Sequence, residues 1–99
     1  MTYSVVLSAR AERHLRDLLA EGADRYTPQQ CIAYAEAIRA RCRSLEEMPH
    51  RFPVQVIGGR EFRRFNHKAN AIFYRIIEDD GRVVIEAVLR GSRDFRRHL

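Results

Sequence analysis

The C-terminal end of this 99-residue chain combines cationic side chains with an aromatic ring and a histidine. Residues 83–99 read VVIEAVLRGSRDFRRHL, so an apolar stretch typical of a buried strand leads into a basic tail. Arginine and aromatic side chains often dominate the binding energy of protein interfaces. We therefore expect this tail to be a contact surface rather than a solvated end on which Phe95 folds back against the core. The side chains of this predicted surface are Arg90, Arg93, Phe95, Arg96 and Arg97.

A second basic group lies in the middle of the second half of the chain. Arg60, Arg63 and Arg64 alternate there with Phe62 and Phe65. In a strand, successive side chains point to opposite faces, so Arg60, Phe62 and Arg64 are predicted to share one face. Alternating basic and aromatic residues suit nucleic acid, and the arginines suit an acidic protein equally well.

Composition limits the class of protein and its partners. Apolar residues make up 45% of the chain and charged residues 31%, which predicts one globular domain over residues 1–99. The 18 basic residues exceed the 13 acidic ones, for a net charge of +5, and Lys68 is the one lysine. This balance points to an acidic partner. No transmembrane run or signal peptide is evident, so we expect a cytoplasmic protein without a membrane partner.

The two cysteines are expected to be structural. Cys31 and Cys42 fall on one face of a predicted helix, about 16 Å apart at 1.5 Å per residue. A disulfide cannot span that distance, and a zinc site needs more ligands at closer spacing. We expect two small buried thiols, with no metal and no cofactor.

Two helices are predicted in the first half of the chain. Ser8 is a suitable N-cap for a helix over residues 9–21, which Gly22 ends. A second helix starts with Thr27 as cap, Pro28 at its first position and Gln30 closing a capping box. Apolar residues recur every three or four positions in both helices, which indicates a helical hairpin with one buried face. Its outer face is expected to hold solvated residues, namely Arg10, Arg13, His14 and Arg16.

The rest of the pattern is strand-like. One strand precedes the helices at 2–7, and three follow at 60–66, 71–78 and 83–89, the last two joined at Asp80-Gly81 by a tight turn. The order β-α-α-β-β-β predicts an α+β fold of two layers, with the helical hairpin packed on one face of a mainly antiparallel sheet. Tyr74 is expected to be a core tyrosine with a hydrogen-bonded hydroxyl.

Four short pieces of the chain, in order, resemble the toxins of type II toxin–antitoxin modules, the RelE/ParE superfamily. They are Ser-Ala-Arg-Ala at 8–11, Leu-Glu-Glu-Met-Pro at 45–49, Ala-Ile-Phe-Tyr-Arg-Ile at 71–76 and Val-Leu-Arg-Gly-Ser-Arg-Asp at 88–94. RelE-like members cut messenger RNA on the ribosome, whereas ParE-like members bind DNA gyrase and stall it. The ending is more similar to the ParE branch, although Arg90 stands where members often have histidine.

The resemblance implies a ParE-like toxin of a bacterial or plasmid-borne, plasmid-stabilising pair. This toxin would inhibit gyrase by binding and would have no catalytic residues or small-molecule substrate. Its tail would contact the target. A cognate antitoxin would neutralise it in a hetero-oligomer, with Arg60, Arg63 and Arg64 pairing with antitoxin carboxylates.

The resemblance also leaves two other activities open. A ribosome-dependent, metal-independent endoribonuclease would use Arg75 and Arg93 to hold the phosphate and His98 for proton transfer. His67, in a predicted polar turn, is the other candidate for proton transfer. A further alternative is a homologue that binds its antitoxin without being toxic.

Overall fold

The computed structural model describes residues 2–91 and residue 99. Two 3₁₀ turns, at Ser44–Glu46 and Glu78–Asp80, accompany the helices and strands of this part of the chain. In chain order the main elements are β1 (Ser4–Leu7), α1 (Ala9–Gly22), α2 (Pro28–Arg43), β2 (Val54–Ile57), β3 (Arg60–His67), β4 (Asn70–Ile77) and β5 (Arg82–Arg90).

The strands of the described residues form one five-stranded sheet in the order β1-β5-β4-β3-β2. Neighbouring strands are antiparallel except β1 and β5, which pair in parallel. The two helices pack against one face of this sheet, because α1 and α2 residues join the sheet residues in one apolar cluster. The predicted two-layer α+β fold is confirmed.

One strand was missing from the predicted order. The helices are followed by four strands, because β2 (Val54–Ile57) forms a hairpin with β3. β2 is only four residues long and contains the polar Gln55, so its alternation of apolar and polar residues is too short to predict a strand. Gly58 and Gly59, at φ 61° and 77°, make the turn between the two strands.

The predicted helix starts are confirmed in detail. Ser8 Oγ accepts from Ala11 N at 3.0 Å. Thr27 Oγ1 accepts from Gln30 N at 3.1 Å, while Thr27 N donates to the Gln30 side chain at 2.9 Å, which completes the capping box. These bonds satisfy backbone N–H groups that have no partner inside the helix. They fix the residue at which each helix begins.

The sheet has two differently built faces. The helix-covered face carries an apolar core that includes Ile38 and Leu15 from the helices and Ile72, Tyr74 and Ile85 from the strands. The opposite face, called the far face below, carries a smaller buried cluster of Ile57, Phe62, Ala71, Phe73, Ala87 and Leu89, and Leu99 packs against it.

Both cysteine thiols are free, but the prediction that both are buried is correct for Cys42 and wrong for Cys31. Cys42 is buried in the helix-covered core, where burial raises the pKa of its thiol to about 11, and Cys31 is half-buried. In the described part of the chain, no helix is long and apolar enough to cross a membrane.

Candidate functional site

Arginines lie over the aromatic rings of the far face. Alternation along β3 brings Phe62 and its neighbours two positions away to this face, as predicted. The guanidinium carbon of Arg60 is 5.5 Å from the Phe62 ring centroid, and that of Arg64 is 5.8 Å from the Phe73 ring centroid. Both distances suit cation–π contact. The far face therefore presents guanidinium groups above a buried aromatic layer.

A single carboxylate sits among three arginines beside this layer. Glu86 accepts from Arg75 Nε at 2.6 Å, its other oxygen lies 3.5 Å from Arg10 Nη2, and Arg60 Nη2 is 3.8 Å away. The Glu86 side chain is 9% exposed, whereas the arginine side chains are 30–50% exposed. Three positive groups around one negative group leave an excess of positive charge at this point.

A β-bulge turns Glu86 into this position. Phe73 pairs with Ala87 and Tyr74 pairs with Ile85, so Glu86 has no partner in the register of β4 and β5. Its backbone carbonyl is held as well, because Ser8 Oγ and Arg10 Nε donate to it at 3.2 Å and 3.1 Å. The start of α1 and the middle of β5 are therefore joined at the carboxylate.

Arg63 lies on the opposite side of the sheet from Arg64. Its Nη1 donates to the His50 carbonyl at 3.1 Å and also to the Phe52 carbonyl, which ties the loop before β2 to the sheet. In the adjoining core, the Tyr74 hydroxyl donates to the Pro49 carbonyl at 2.6 Å, as expected for a core tyrosine. Burial is the main cause that raises the pKa of Tyr74, to about 12.

A groove of about 710 Å³ lies where the tip of the helical hairpin faces the turn between β3 and β4. Its lining includes Leu18, Leu19 and Cys31 as well as the cations Lys68 and Arg90. Arg90 Nη1 is 3.8 Å from Glu21 Oε2, and both side chains are more than half exposed. This ion pair is open to exchange with a partner's charges.

Polar groups form one corner of the groove. The Tyr34 hydroxyl lies 3.3 Å from the His67 carbonyl and donates to Asn70 Oδ1. Lys68 Nζ is 5.7 Å from the Tyr34 ring centroid. Burial, together with the nearby Arg41 and Lys68, lowers the pKa of His67.

The predicted residues are distributed over three places. Arg60, Arg64 and Arg75 lie on the far face, Arg63 on the helix-covered side and Arg90 at the groove rim. The remaining predicted residues, Arg93, Phe95, Arg96, Arg97 and His98, lie outside the described residues. The far face therefore unites two of the three arginines predicted for the antitoxin with Arg75, one of the two arginines predicted to hold a phosphate.

The prediction of a solvated outer face on α1 was wrong for two residues. Arg10 reaches Glu86, and His14 Nδ1 accepts a hydrogen bond from Val88 N at 3.1 Å. Glu86 itself was missed, although an acidic residue inside the apolar run of 83–89 signals a buried partner. The bulge that places it has no comparable signature in the sequence.

Comparison with protein families gave a match over residues 5–95 to the family described as the ParE toxin of the type II toxin–antitoxin system parDE. This match spans most of the 99 residues, including all of the elements described above except the first residue of β1. Comparison with the sequences of curated proteins gave no match.

Two solved structures share the fold. One is a chain of the chromosomal ParDE toxin–antitoxin system from P. aeruginosa, with a TM-score of 0.78 at 11% identity, covering 92% of this chain and 98% of that chain. The other belongs to the RelBE2 toxin–antitoxin complex from Mycobacterium tuberculosis, with a TM-score of 0.61 at 18% identity, covering 91% and 99%. At these identities the likeness concerns the fold.

Proposed function

This chain belongs to the ParE toxin family of type II toxin–antitoxin systems, and on that premise we propose that it inhibits DNA gyrase by binding it. A cognate antitoxin neutralises it in a hetero-oligomer, in the cytoplasm. The toxin acts as a binding protein, and its contact with the target forms through Arg90 and the tail side chains Arg93, Phe95, Arg96 and Arg97.

The observation that carries the proposal is the ion pair of Arg75 with Glu86. In the alternative nuclease, Arg75 would hold a phosphate, but its guanidinium is 2.6 Å from a carboxylate that is nearly buried. Negative charge at that position repels the phosphate that the reaction would have to stabilise. Binding to a protein target makes no such demand on Arg75.

Arg90 supports a role for this end of β5 in binding. Its side chain is 57% exposed, and it pairs at 3.8 Å with Glu21, whose side chain is 58% exposed. An exposed arginine with a weak partner loses little when it exchanges that partner for a carboxylate of the target. The strand therefore delivers a cation, ready to bind, to the point where the tail starts.

The antitoxin is proposed to cover both the groove and the basic side chains of β3. The groove is lined by apolar side chains and by the cations Arg25, Lys68 and Arg90, which suits an amphipathic segment carrying acidic residues. Arg64 makes no ion pair with any described residue, and Arg60 lies 3.8 Å from Glu86, so both have donors to offer. Arg63 remains part of this prediction, although its guanidinium already binds two carbonyls.

The test is a supercoiling assay with purified gyrase, plasmid and the full chain, run beside a ribosome-dependent mRNA cleavage assay. We expect loss of supercoiling or accumulation of cleaved plasmid, with intact mRNA. Antitoxin added before gyrase should restore supercoiling. Cut mRNA with unaffected gyrase would instead assign the nuclease activity, and His98→Ala would then be the variant to study. No response in either assay would favour a homologue that only binds its antitoxin.

A matched pair of variants separates the tail from net charge. Arg90→Gln and Arg82→Gln each remove one exposed cation from β5, at opposite ends of the strand. The two residues have similar surroundings, since Arg82 also pairs with an exposed acid, Asp80, at 3.4 Å. We expect Arg90→Gln to weaken gyrase inhibition several-fold and Arg82→Gln to leave it unchanged. Equal effects would mean that general charge, rather than this end of β5, drives binding.

A further inference from the structure

The arginines around Glu86 converge on one point of the far face. The arginines come from three separate elements, with Arg10 in α1, Arg60 in β3 and Arg75 in β4. Their nearest nitrogens lie 3.5 Å, 3.8 Å and 2.6 Å, respectively, from the carboxylate oxygens of Glu86. Such convergence needs a negative group at its centre, because three guanidinium groups without one would repel each other. The chain supplies that group itself.

The same arrangement would bind a different oxyanion. Guanidinium groups bind carboxylates and phosphates with the same planar donor geometry, so an arginine cluster built around one accepts the other. Both ligands offer oxygens at the distances that the arginines already adopt. The carboxylate therefore stands where a phosphate would have to sit.

We propose that Arg10, Arg60 and Arg75 form a phosphate-type anion site whose resident ligand is Glu86. Glu86 is thus a specificity-determining residue, which keeps nucleic-acid phosphates off the far face. The site does not depend on whether gyrase is the target, since it concerns what this face excludes.

Single-stranded nucleic acid is the ligand that the surroundings fit. Arg60 lies over the Phe62 ring and Arg64 over the Phe73 ring, so cations and aromatic rings adjoin the site on one surface. Both rings are buried, so a single strand would meet the guanidinium groups that cover them, and guanidinium groups bind phosphates and stack on bases. The excess of positive charge around Glu86 attracts a polyanion to the face, and the carboxylate denies it the central contact.

The experiment measures binding of a fluorescein-labelled oligouridine RNA to the full chain by fluorescence anisotropy over a range of salt concentrations. Glu86→Gln keeps the size of the side chain and removes its charge. We expect about a tenfold gain in affinity, the scale of one charged hydrogen-bonded contact. The plot of log affinity against log salt should steepen by about 0.7, the increment for one added phosphate contact on a single strand.

Glu61→Gln is the matched control. Glu61 is an exposed residue of β3 next to Arg60, it makes none of the ion pairs of the described residues, and its replacement changes the net charge by the same amount. We expect this variant to gain less than twofold, with an unchanged salt slope. If Glu86→Gln and Glu61→Gln bind the RNA alike, the effect is one of net charge and the proposed site is wrong.

Two further variants keep the result decisive. Arg75→Gln combined with Glu86→Gln restores the net charge and removes the arginine at 2.6 Å, so its affinity should return to that of the wild type. Binding as tight as that of Glu86→Gln alone would overturn the site. If Glu86→Gln does not fold, Glu86→Asp withdraws the carboxylate by one methylene and should bind more tightly than Glu61→Asp, and equal binding would refute the proposal.

Discussion

The same strands form both faces of the sheet, but the two faces differ in what covers their buried side chains. On the helix-covered face, side chains such as Ile72 and Tyr74 are fully buried between the sheet and the helices. On the far face, Phe62 and Phe73 are equally buried, yet guanidinium groups lie over both rings. Cations also reach the helix-covered core, since Arg41 lies 4.7 Å from the Phe65 ring centroid. The difference is that, in the described part of the chain, no helical layer covers the rings of the far face, which gathers its arginines around Glu86.

This difference shows how a small protein assigns stability and recognition to opposite sides of one layer. Apolar packing between sheet and helices gives a large, non-directional contribution to the free energy of unfolding. Cations held on long side chains contribute little to stability but remain available to a partner. We expect substitutions of buried side chains on the helix-covered face to change stability, and substitutions of the exposed arginines on the far face to change binding.

The largest effect expected is the loss of packing in the helix-covered core. Ile72 is 0% exposed, and Ile72→Ala should lower the free energy of unfolding by about 2–5 kcal/mol through lost burial and a residual cavity. Ile32→Ala makes the same deletion at a position of α2 that is 58% exposed, and should cost less than about 0.5 kcal/mol. Urea unfolding followed by circular dichroism measures both. Similar losses of unfolding free energy in the two variants would contradict the assignment of stability to the helix-covered core.

Tyr74→Phe removes a single atom, the buried hydroxyl oxygen of Tyr74, from the helix-covered core. The variant leaves the Pro49 carbonyl without its donor and should cost about 1–2 kcal/mol. It should also change the pH dependence. Burial raises the folded-state pKa of Tyr74 from 10.0 to about 12, so the unfolded chain ionises first and stability falls as pH rises from 10 towards 12.

The variant lacks this hydroxyl, so it should show a shallower alkaline decrease in unfolding free energy than the wild type. Tyr26→Phe, at a ring that is 56% exposed, serves as the control and should behave as the wild type. A variant curve parallel to the wild-type curve between pH 10 and 12 would show that Tyr74 ionises alike in both states.

Two adjacent arginines sharpen the comparison within one strand. Arg63→Met keeps the apolar stem but removes the donor to the His50 and Phe52 carbonyls, and should cost about 1 kcal/mol of unfolding free energy. Arg64→Met, one residue on and on the other face, should cost less than about 0.5 kcal/mol. Isothermal titration with antitoxin should rank them in reverse order. Equal stability losses would show that the faces are not separated at β3.

The smallest effect belongs to an ion pair within the helical layer. Arg39 hydrogen-bonds to Glu12 and holds the pKa of that carboxyl below its usual value, so the pair stabilises the fold at neutral pH and the gain is lost as pH falls through the lowered pKa. Both side chains are about one-third exposed, so Glu12→Gln should cost about 0.3 kcal/mol.

This small loss gives a second test of the comparison. Glu12 lies in the helical layer and Glu86 on the far face, so the costs of Glu12→Gln and Glu86→Gln should add within about 0.5 kcal/mol in the double variant, measured by thermal or urea unfolding. A clear excess over the sum would reveal coupling of the two layers through Arg10 and the start of α1.

The elements that sequence predicted well are those specified by neighbouring residues. The capping box at Thr27 and Gln30 and the turn at Gly81 depend on residues within three positions of each other, and both are found. Strand β2 was missed because its partner and its turn, rather than its own four residues, define it. Caps and turns can be predicted from neighbouring residues, whereas the pairing of a short strand such as β2 cannot.

The candidate site was predictable only in part for the same reason. Alternation assigned Arg60 and Arg64 to one face and left Arg63 on the other. It could not show that Glu86 would meet Arg10, 76 residues away, or that a bulge would break the alternation at that point. The sequence shows which residues are arginines, but only the three-dimensional structure shows that Glu86 is their common partner.

The pairing of β1 with β5 has a consequence for the way this protein is made. The first strand lies parallel to the last described strand, and β5 sits between β1 and β4 in the sheet. A growing chain on the ribosome therefore has no partner for β1, and an incomplete core for the helical hairpin, until residues 82–90 have emerged. Such long-range contacts are slow to form, so we expect folding as one late step after synthesis of β5.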